Sequence, residues 1–383
     1  MRYITFFFLL IARALSAQPQ TYALSGSVTD AATGKPIAAV SVFLNGTSKG
    51  TTTHDDGAFL LTGILSGSYQ LIISAVGYTT FQTTIDTRAL PSTLNVTLQT
   101  RSTELAAVTV EPGNENSWKK WGKIFWDTFI GTNGNASMCT IENKNALRFH
   151  FDGNERKLVV SATEPIIIVN KALGYKMEYR LEAFSYDLPT EDFGYHGFLF
   201  FQEMTPVDSL QQQDWLANRR RAYLGSMRHF IRSLYSGRLR EEGFIIAHEV
   251  KVPNKEKERI NAIYKQEAVR RGSIPGDTPF HYRKVLRQPD YYIKTLFNYD
   301  SLVTINPDQT RSFTFTGDFI VTYRNAKLGI VAASSTLKLV YPVSLQIDEE
   351  GSYFPPQTVI TKGAWVKTQT VANLLPSDYT PPD

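Results

Sequence analysis

Six histidines, a single cysteine and several adjacent carboxylates are the groups through which this chain could do acid–base, nucleophilic or metal chemistry. A zinc peptidase needs His and Glu spaced so that both reach one ion. None of His54, His150, His196, His229, His248 and His281 has Glu at the third position after it. His248 and Glu249 are neighbours, and neighbours on a strand point to opposite faces. His54-Asp55-Asp56 invites a metal reading. Asp before Gly57 is also what a tight turn asks for, and adjacent carboxylates diverge, so the turn reading is preferred. Cys139 has no partner for an intramolecular disulfide, and Met138 and Ile141 beside it favour burial. Glu241-Glu242 and Glu349-Glu350 sit in turn-like contexts and read as solvated pairs. Neither a serine nucleophile elbow nor a phosphate loop is recognised. No catalytic, cofactor-binding or metal-ligating residue is assigned, and no cofactor is expected.

The elements that would position such groups begin after a leader. Arg2 precedes the apolar run Ile4–Ala12, which is short for a bilayer span, and Leu15-Ser16-Ala17 places a small residue at a cleavage position. Residues 1–17 therefore read as a signal peptide, in preference to a retained anchor. No later stretch approaches the ~20 apolar residues of a transmembrane helix. With Arg2 and Arg13 removed, a formal charge of +4 falls to +2. That balance argues against nucleic acid as the partner. Hydrophobic content of 42% and charged content of 20% are ordinary for a globular protein, so disorder is not expected.

From Tyr22 to Leu98, short alternating runs are separated by turn chemistry: Gly34, Asn45-Gly46, Asp56-Gly57, Gly67 and Gly77. Six or seven strands at this spacing make a small β-sandwich. The pieces G-x-V-T-D, G-x-P-I-x-x-V-x-V, G-T-T-T-x-D-D-G-x-F, G-x-Y-x-L and V-G-Y occur in order over about 80 residues. This pattern resembles the carboxypeptidase-regulatory-like module. The resemblance implies a seven-stranded transthyretin-like sandwich over 18–100, of the kind carried at the N-terminus of TonB-dependent outer-membrane transporters. It also implies export to the periplasm or the outer-membrane surface of a Gram-negative cell. It brings no peptidase residues with it.

Residues 101–116 read as a linker, and 117–383 as a β-rich α+β domain with two or three amphipathic helices, so the chain as a whole is mainly β. A transporter barrel of about 22 strands does not fit in that length. Trp118, Trp121, Phe125 and Phe129 share one helical face from Ser117, a candidate cap, to Ile130. A core-facing stripe is preferred over a carbohydrate platform. Residues 214–240 read as one basic helix, with Arg at 219, 220, 221, 228, 232, 238 and 240. Its charges are expected to pair with acids such as Glu203, Asp214, Glu241 and Glu242, a reading preferred over a nucleic-acid or membrane-surface helix. Lys255–Arg271 reads as another helix, opened by Pro253-Asn254 and stopped by Gly272. Tyr175–Tyr186, Tyr291–Phe297, Ser312–Tyr323, Ala332–Tyr341 and Tyr353–Ile360 read as strands. The runs Asn170–Tyr179 and Arg220–Leu234 resemble those of uncharacterised exported proteins known only for carrying this regulatory-like domain.

The expectation is a non-enzymatic exported envelope protein with a binding or scaffolding role, its partner another envelope protein or a glycan. One alternative is a hydrolase acting on glycan or peptide with a site in the second domain. Another is a surface glycan-binding module using Trp118, Trp121 or Trp126. Oligomeric state is left open.

Overall fold

The computed structural model describes residues 21–101, 115–271, 280–296, 302–315, 317–325, 329–355 and 358–382. The leader (1–17), most of the linker and the helix stop at Gly272 lie outside the described residues. Two compact units are present. One comprises the chain up to Leu224 together with Lys367–Asp383, and the other is Gly225–Val366.

The first unit opens with seven strands: β1 (Tyr22–Asp30), β2 (Ser41–Leu44), β3 (Gly50–Thr52), β4 (Ala58–Ile64), β5 (Ser68–Ser74), β6 (Phe81–Asp86) and β7 (Leu94–Leu98). They form two sheets, ordered β4-β1-β7 and β3-β2-β5-β6. All pairs are antiparallel except β1–β7. The period-2 pattern places Leu24, Val28, Val42, Leu44, Phe59, Leu61, Leu71, Ile73, Val96 and Leu98 between the sheets, as a two-sheet core requires. The sequence expectation of a mainly β chain opened by a seven-stranded sandwich is met.

The same unit continues with α1 (Glu115–Phe125), which runs on into a π-helical turn, Trp126–Ile130. Ser117 lies inside this helix and does not cap it, because Glu115 and Asn116 extend it N-terminally. An acidic residue is well placed in a first turn. An antiparallel sheet follows: β8 (Cys139–Ile141), β9 (Leu147–Asp152), β10 (Lys157–Ala162), β11 (Ile166–Asn170), β12 (Tyr175–Asp187) and β13 (Phe193–Glu203). The order is β8-β11-β12-β10-β9, with β13 along the length of β12. Phe125 and Phe129 of the helical stripe are fully buried against Phe149, Tyr179 and Phe184 of this sheet. Helix α2 (Ser209–Tyr223) and the C-terminal tail complete the unit.

A tight turn, Asn170–Gly174, is where these pieces meet. Asn170 is 0% exposed. Its Oδ1 accepts the N–H groups of Ala172 and Leu173, both at 3.1 Å, and its Nδ2 donates to the Ala372 carbonyl in the tail at 2.9 Å. The turn's own carbonyls are taken by α2. Trp215 Nε1 donates to Lys171 O at 2.8 Å, Asn218 Nδ2 to Ala172 O at 3.0 Å, and Arg219 Nε to Leu173 O at 2.7 Å. Gly174 has φ +69°, and a Cβ there would lie 2.3 Å from the Trp215 ring. Only glycine satisfies both the backbone and the packing.

The sandwich is joined to this sheet through its β2–β3 loop. Gly46 N–H donates to Leu199 O (2.7 Å), Phe201 N–H to Thr47 O (3.1 Å) and Leu199 N–H to Asn45 Oδ1 (2.8 Å). Phe43 and Ile72 of the sandwich pack with Phe198 and Phe200 of β13.

The second unit contains α3 (Met227–Tyr235), β14 (Phe244–Pro253), α4 (Lys255–Arg271), α5 (Phe280–Leu286), β15 (Tyr291–Leu296), β16 (Val303–Ile305), β17 (Arg311–Phe313), β18 (Asp318–Asn325), β19 (Ile330–Leu339), β20 (Leu345–Ile347), β21 (Tyr353–Phe354) and β22 (Val359–Gly363). A short helix, α6 (Ala364–Thr368), follows. The strands make two sheets, β15-β14-β18-β19-β22 and β16-β17-β20-β21. Phe230 of α3 is fully buried among Phe244, Phe313, Phe319 and Trp365. The single helix expected over 214–240 is broken. Gly225 takes φ +76° under the ring of Tyr323, and Ser226 Oγ caps α3 by accepting His229 N–H at 3.1 Å. The strand expected over 312–323 is likewise split into β17 and β18, with Gly317 at φ +69° between them. Tyr353–Ile360 divides into β21 and β22.

Replacing Asn170 by Ala leaves two buried N–H groups and one buried carbonyl without partners. The cost is expected to be about 3 kcal/mol, as read by urea unfolding of the full chain. Gln202→Ala, on an exposed pair with Glu178, is expected to change stability by less than about 0.5 kcal/mol. Equal effects from the two would contradict the role given to Asn170.

Candidate functional site

Among the described histidine side chains, only His229 is buried, at 3% exposure. It lies in the first turn of α3 between the rings of Phe244 and Tyr323. Its Nδ1 accepts the Gly225 N–H at 3.1 Å, which leaves the proton on Nε2, 3.2 Å from Glu242 Oε2. Both nitrogens are thus engaged in holding the start of α3 and the loop before β14. Burial pushes the His229 pKa below its ordinary 6.5, and the hydrogen bond to Glu242 opposes that shift. A neutral imidazole with both nitrogens occupied fits a structural part better than a proton shuttle.

Glu242 is therefore not simply solvated, and neither is Glu350. The β20–β21 loop seats Asp348 and Glu350, half-buried, beside Arg228 and Arg232 of α3. Burial, reinforced by the neighbouring Asp348, pushes the Glu350 carboxyl up to about 7. Burial also raises the Asp348 pKa. One member of each pair expected to be solvated is in fact drawn into contacts with α3, Glu242 through His229 and Glu350 through Arg232.

A G-x-S-x-G spacing at Gly46–Gly50 escapes the motif reading. It lies on a hairpin loop between two strands, where a hydrolase elbow would stand between a strand and a helix. Ser48 Oγ donates to Asp378 Oδ2 at 2.5 Å, its N–H donates to Asp378 Oδ1 at 3.0 Å, and Lys49 Nζ lies 3.7 Å from the same carboxylate. Ser377 N–H donates to Gly46 O at 2.7 Å. The serine ties down the tail and has no histidine among its described partners.

The remaining residues singled out by sequence are spread through the fold. At His54-Asp55-Asp56, Asp56 Oδ1 accepts Ala58 N–H at 2.9 Å, the expected turn contact. No cluster of three or more His, Cys, Asp or Glu able to hold a metal occurs among the described residues. Cys139 is buried, with Sγ 3.4 Å from Asn135 O, and burial pushes its thiol up to about 12, far from a reactive thiolate. Trp118, Trp121 and Trp126 are half-buried and pack on the core. Phe151 stacks on Trp121 at 4.8 Å with the Lys120 ammonium also over the ring, and Gly122 and Lys144 lie against Trp118. Little indole face is left for a sugar at those two positions. In the basic segment, Arg219 pairs with Glu203 and Arg238 with Glu242, as the charge-pairing reading expected.

The titration of His229 has a definite sign. With the folded pKa below the unfolded one, its contribution to stability is complete above about pH 6.5 and is lost as the pH falls below that value. The wild-type unfolding free energy is expected to fall by up to about 1.4 kcal/mol per pH unit more steeply than that of His229→Gln between about pH 6.5 and 5. Parallel profiles for the two proteins would contradict the burial of a neutral imidazole.

With the geometry in place, comparison with known proteins adds one assignment. No curated protein matches the chain. Among solved structures, it is similar to a type II cohesin–X-dockerin complex from Acetivibrio cellulolyticus, with 24% identity, 20% of this chain and 51% of that chain covered, and a TM-score of 0.16. It thus spans about half the length of that chain. It is also similar to a putative membrane-associated protein of unknown function from Bacteroides fragilis (11% identity, 90% and 95% covered, TM-score 0.18). A third similarity is to BcpA, the major pilin subunit of Bacillus cereus (10% identity, 86% and 96% covered, TM-score 0.16). TM-scores this low carry no argument about role. A family model does match part of the sequence, and residues 24–110 are a CarboxypepD_reg-like domain.

Proposed function

We propose that this is an exported envelope protein with a binding or scaffolding role, in which the regulatory-like sandwich is a rigid part of a larger body. The observation that carries this reading is the fixing of the β2–β3 loop. Gly46, Thr47 and Ser48 are bonded to β13 and to the C-terminal tail, and the apolar Phe43 and Ile72 are spent on the same seam. Groups that could have served chemistry are used as joints: Ser48 on Asp378, His229 on Glu242, Arg219 on the Leu173 carbonyl. No helix among the described residues is long and apolar enough to cross a membrane, so any attachment to the envelope by a helix would have to come from elsewhere. The composition of the leader and the envelope setting of comparable modules support export.

The test is fractionation of the native host combined with activity screening of the purified chain. The expected result is recovery in the periplasmic or outer-membrane fraction, and no turnover of peptide or glycan substrates above a buffer control. Recovery in the soluble cytoplasm would contradict the envelope reading. Hydrolysis lost on Ser48→Ala, with the fold intact, would replace the binding role by a hydrolase.

A further inference from the structure

We infer that the β20–β21 loop, Asp348–Ser352, is an acid-tightened latch on helix α3, seated when the Glu350 carboxyl carries a proton and loosened when it is ionised. β21 is two residues long and pairs with β20 through Gln346↔Phe354 and Ile347↔Tyr353. The loop's seat on α3 includes Arg232 Nε donating to Glu350 O at 3.0 Å and Gly351 pressed onto the helix. A Cβ on Gly351 would lie 2.6 Å from Arg228 O and from Arg228 Cγ, and the residue takes φ +82°. Within the loop, Asp348 Oδ1 accepts Ser352 N–H at 2.7 Å, and Gly351 N–H donates to Asp348 O at 3.3 Å.

This arrangement brings two half-buried acidic side chains, Asp348 and Glu350, against one helix. The charged groups facing Glu350 are Asp348 and Glu349 from the loop, and Arg232 from α3, with Arg228 facing Asp348. Arg232 engages the Glu350 backbone through Nε, while its stem packs on Gly351. No hydrogen bond or ion pair of the Glu350 carboxylate to another side chain is found among the described residues. Ionising it therefore places a half-buried negative charge beside Asp348 with incomplete compensation, which costs free energy unless the loop moves toward water. The sign follows: a carboxyl that holds its proton to about pH 7 when seated, against 4.5 ordinarily, favours the seated loop in acid. That preference is lost as the pH rises between those values. The loop leads directly into Tyr353 and Phe354, so its release would loosen the short strand that carries them.

The test is hydrogen exchange by mass spectrometry on the full chain, corrected for intrinsic rates, from about pH 5 to about pH 8.5. In the wild type, protection of the peptide covering 345–354 is expected to fall at least about tenfold across this range, while peptides of β1 stay constant. Glu350→Gln is expected to stay protected throughout, and Asp348→Asn to move the midpoint to lower pH. Gly351→Ala is expected to be unprotected at every pH. Wild-type protection that does not depend on pH would overturn the proposal, and so would a wild-type profile retained in Glu350→Gln. Should Glu350→Gln fail to fold, shown by loss of β1 protection, an unshifted midpoint in Asp348→Asn would overturn it instead.

Discussion

Buried backbone groups that cannot reach water must be paired inside the protein, and in this fold that requirement falls hardest on the Asn170–Gly174 turn. The turn reverses the chain from β11 into β12 with Asn170, Ala172, Leu173 and Gly174 buried, so the backbone groups of those residues must find partners inside the protein. One buried asparagine satisfies two of the donors and reaches the tail at Ala372. Three side chains of α2 take three successive carbonyls. The central sheet, the helix and the C-terminal tail thereby depend on one another through a single loop. The same tail then reaches the sandwich, where Asp378 binds Ser48 across 330 residues of sequence. The path from Asn170 to the regulatory-like domain is continuous and polar at each joint.

That path changes what the N-terminal domain contributes. A sandwich on a tether would leave its loops free to recognise a ligand. Here the Asn45–Ser48 loop is committed to β13 and to the tail, and the Phe43–Phe200 contact closes the apolar part of the seam. A serine in G-x-S-x-G spacing serves as a clamp, and the buried His229 with the half-buried Glu242 serves as a fastener for α3. Spacing alone marks residue types able to react. The backbone that carries them decides whether they meet a substrate or one another.

Much of this was legible in the sequence. Period-2 alternation located the strands of the sandwich, because a two-sheet core leaves little freedom in which side chains face inward. Helix α4 starts where expected, beside Asn254, whose Oδ1 accepts Lys257 N–H. Its signals are local, and so it could be read locally. The break at Gly225 was hidden because one glycine within a helical pattern costs only about 1 kcal/mol, and the decisive factor is the Tyr323 ring, almost a hundred positions on. Glu242 and Glu350 read as solvated because what holds them, the His229 imidazole and the bond from Arg232 to the Glu350 carbonyl, comes from packing on α3. The spacing around Ser48 is local, but its role as a clamp is set by Asp378 at the far end of the chain.

The claim that the sandwich, the β8–β13 sheet and the tail form one cooperative body is tested most directly by native-state hydrogen exchange at residue resolution in low denaturant. The Gly46, Leu199, Phe201 and Ser377 amides bridge the three parts. They are expected to exchange through a common opening, with one free energy and one denaturant dependence. Exchange of these four amides through a separate opening of lower energy, with the paired amides inside β1 and β12 still protected, would show the sandwich and tail to be independently moving attachments and would contradict the account.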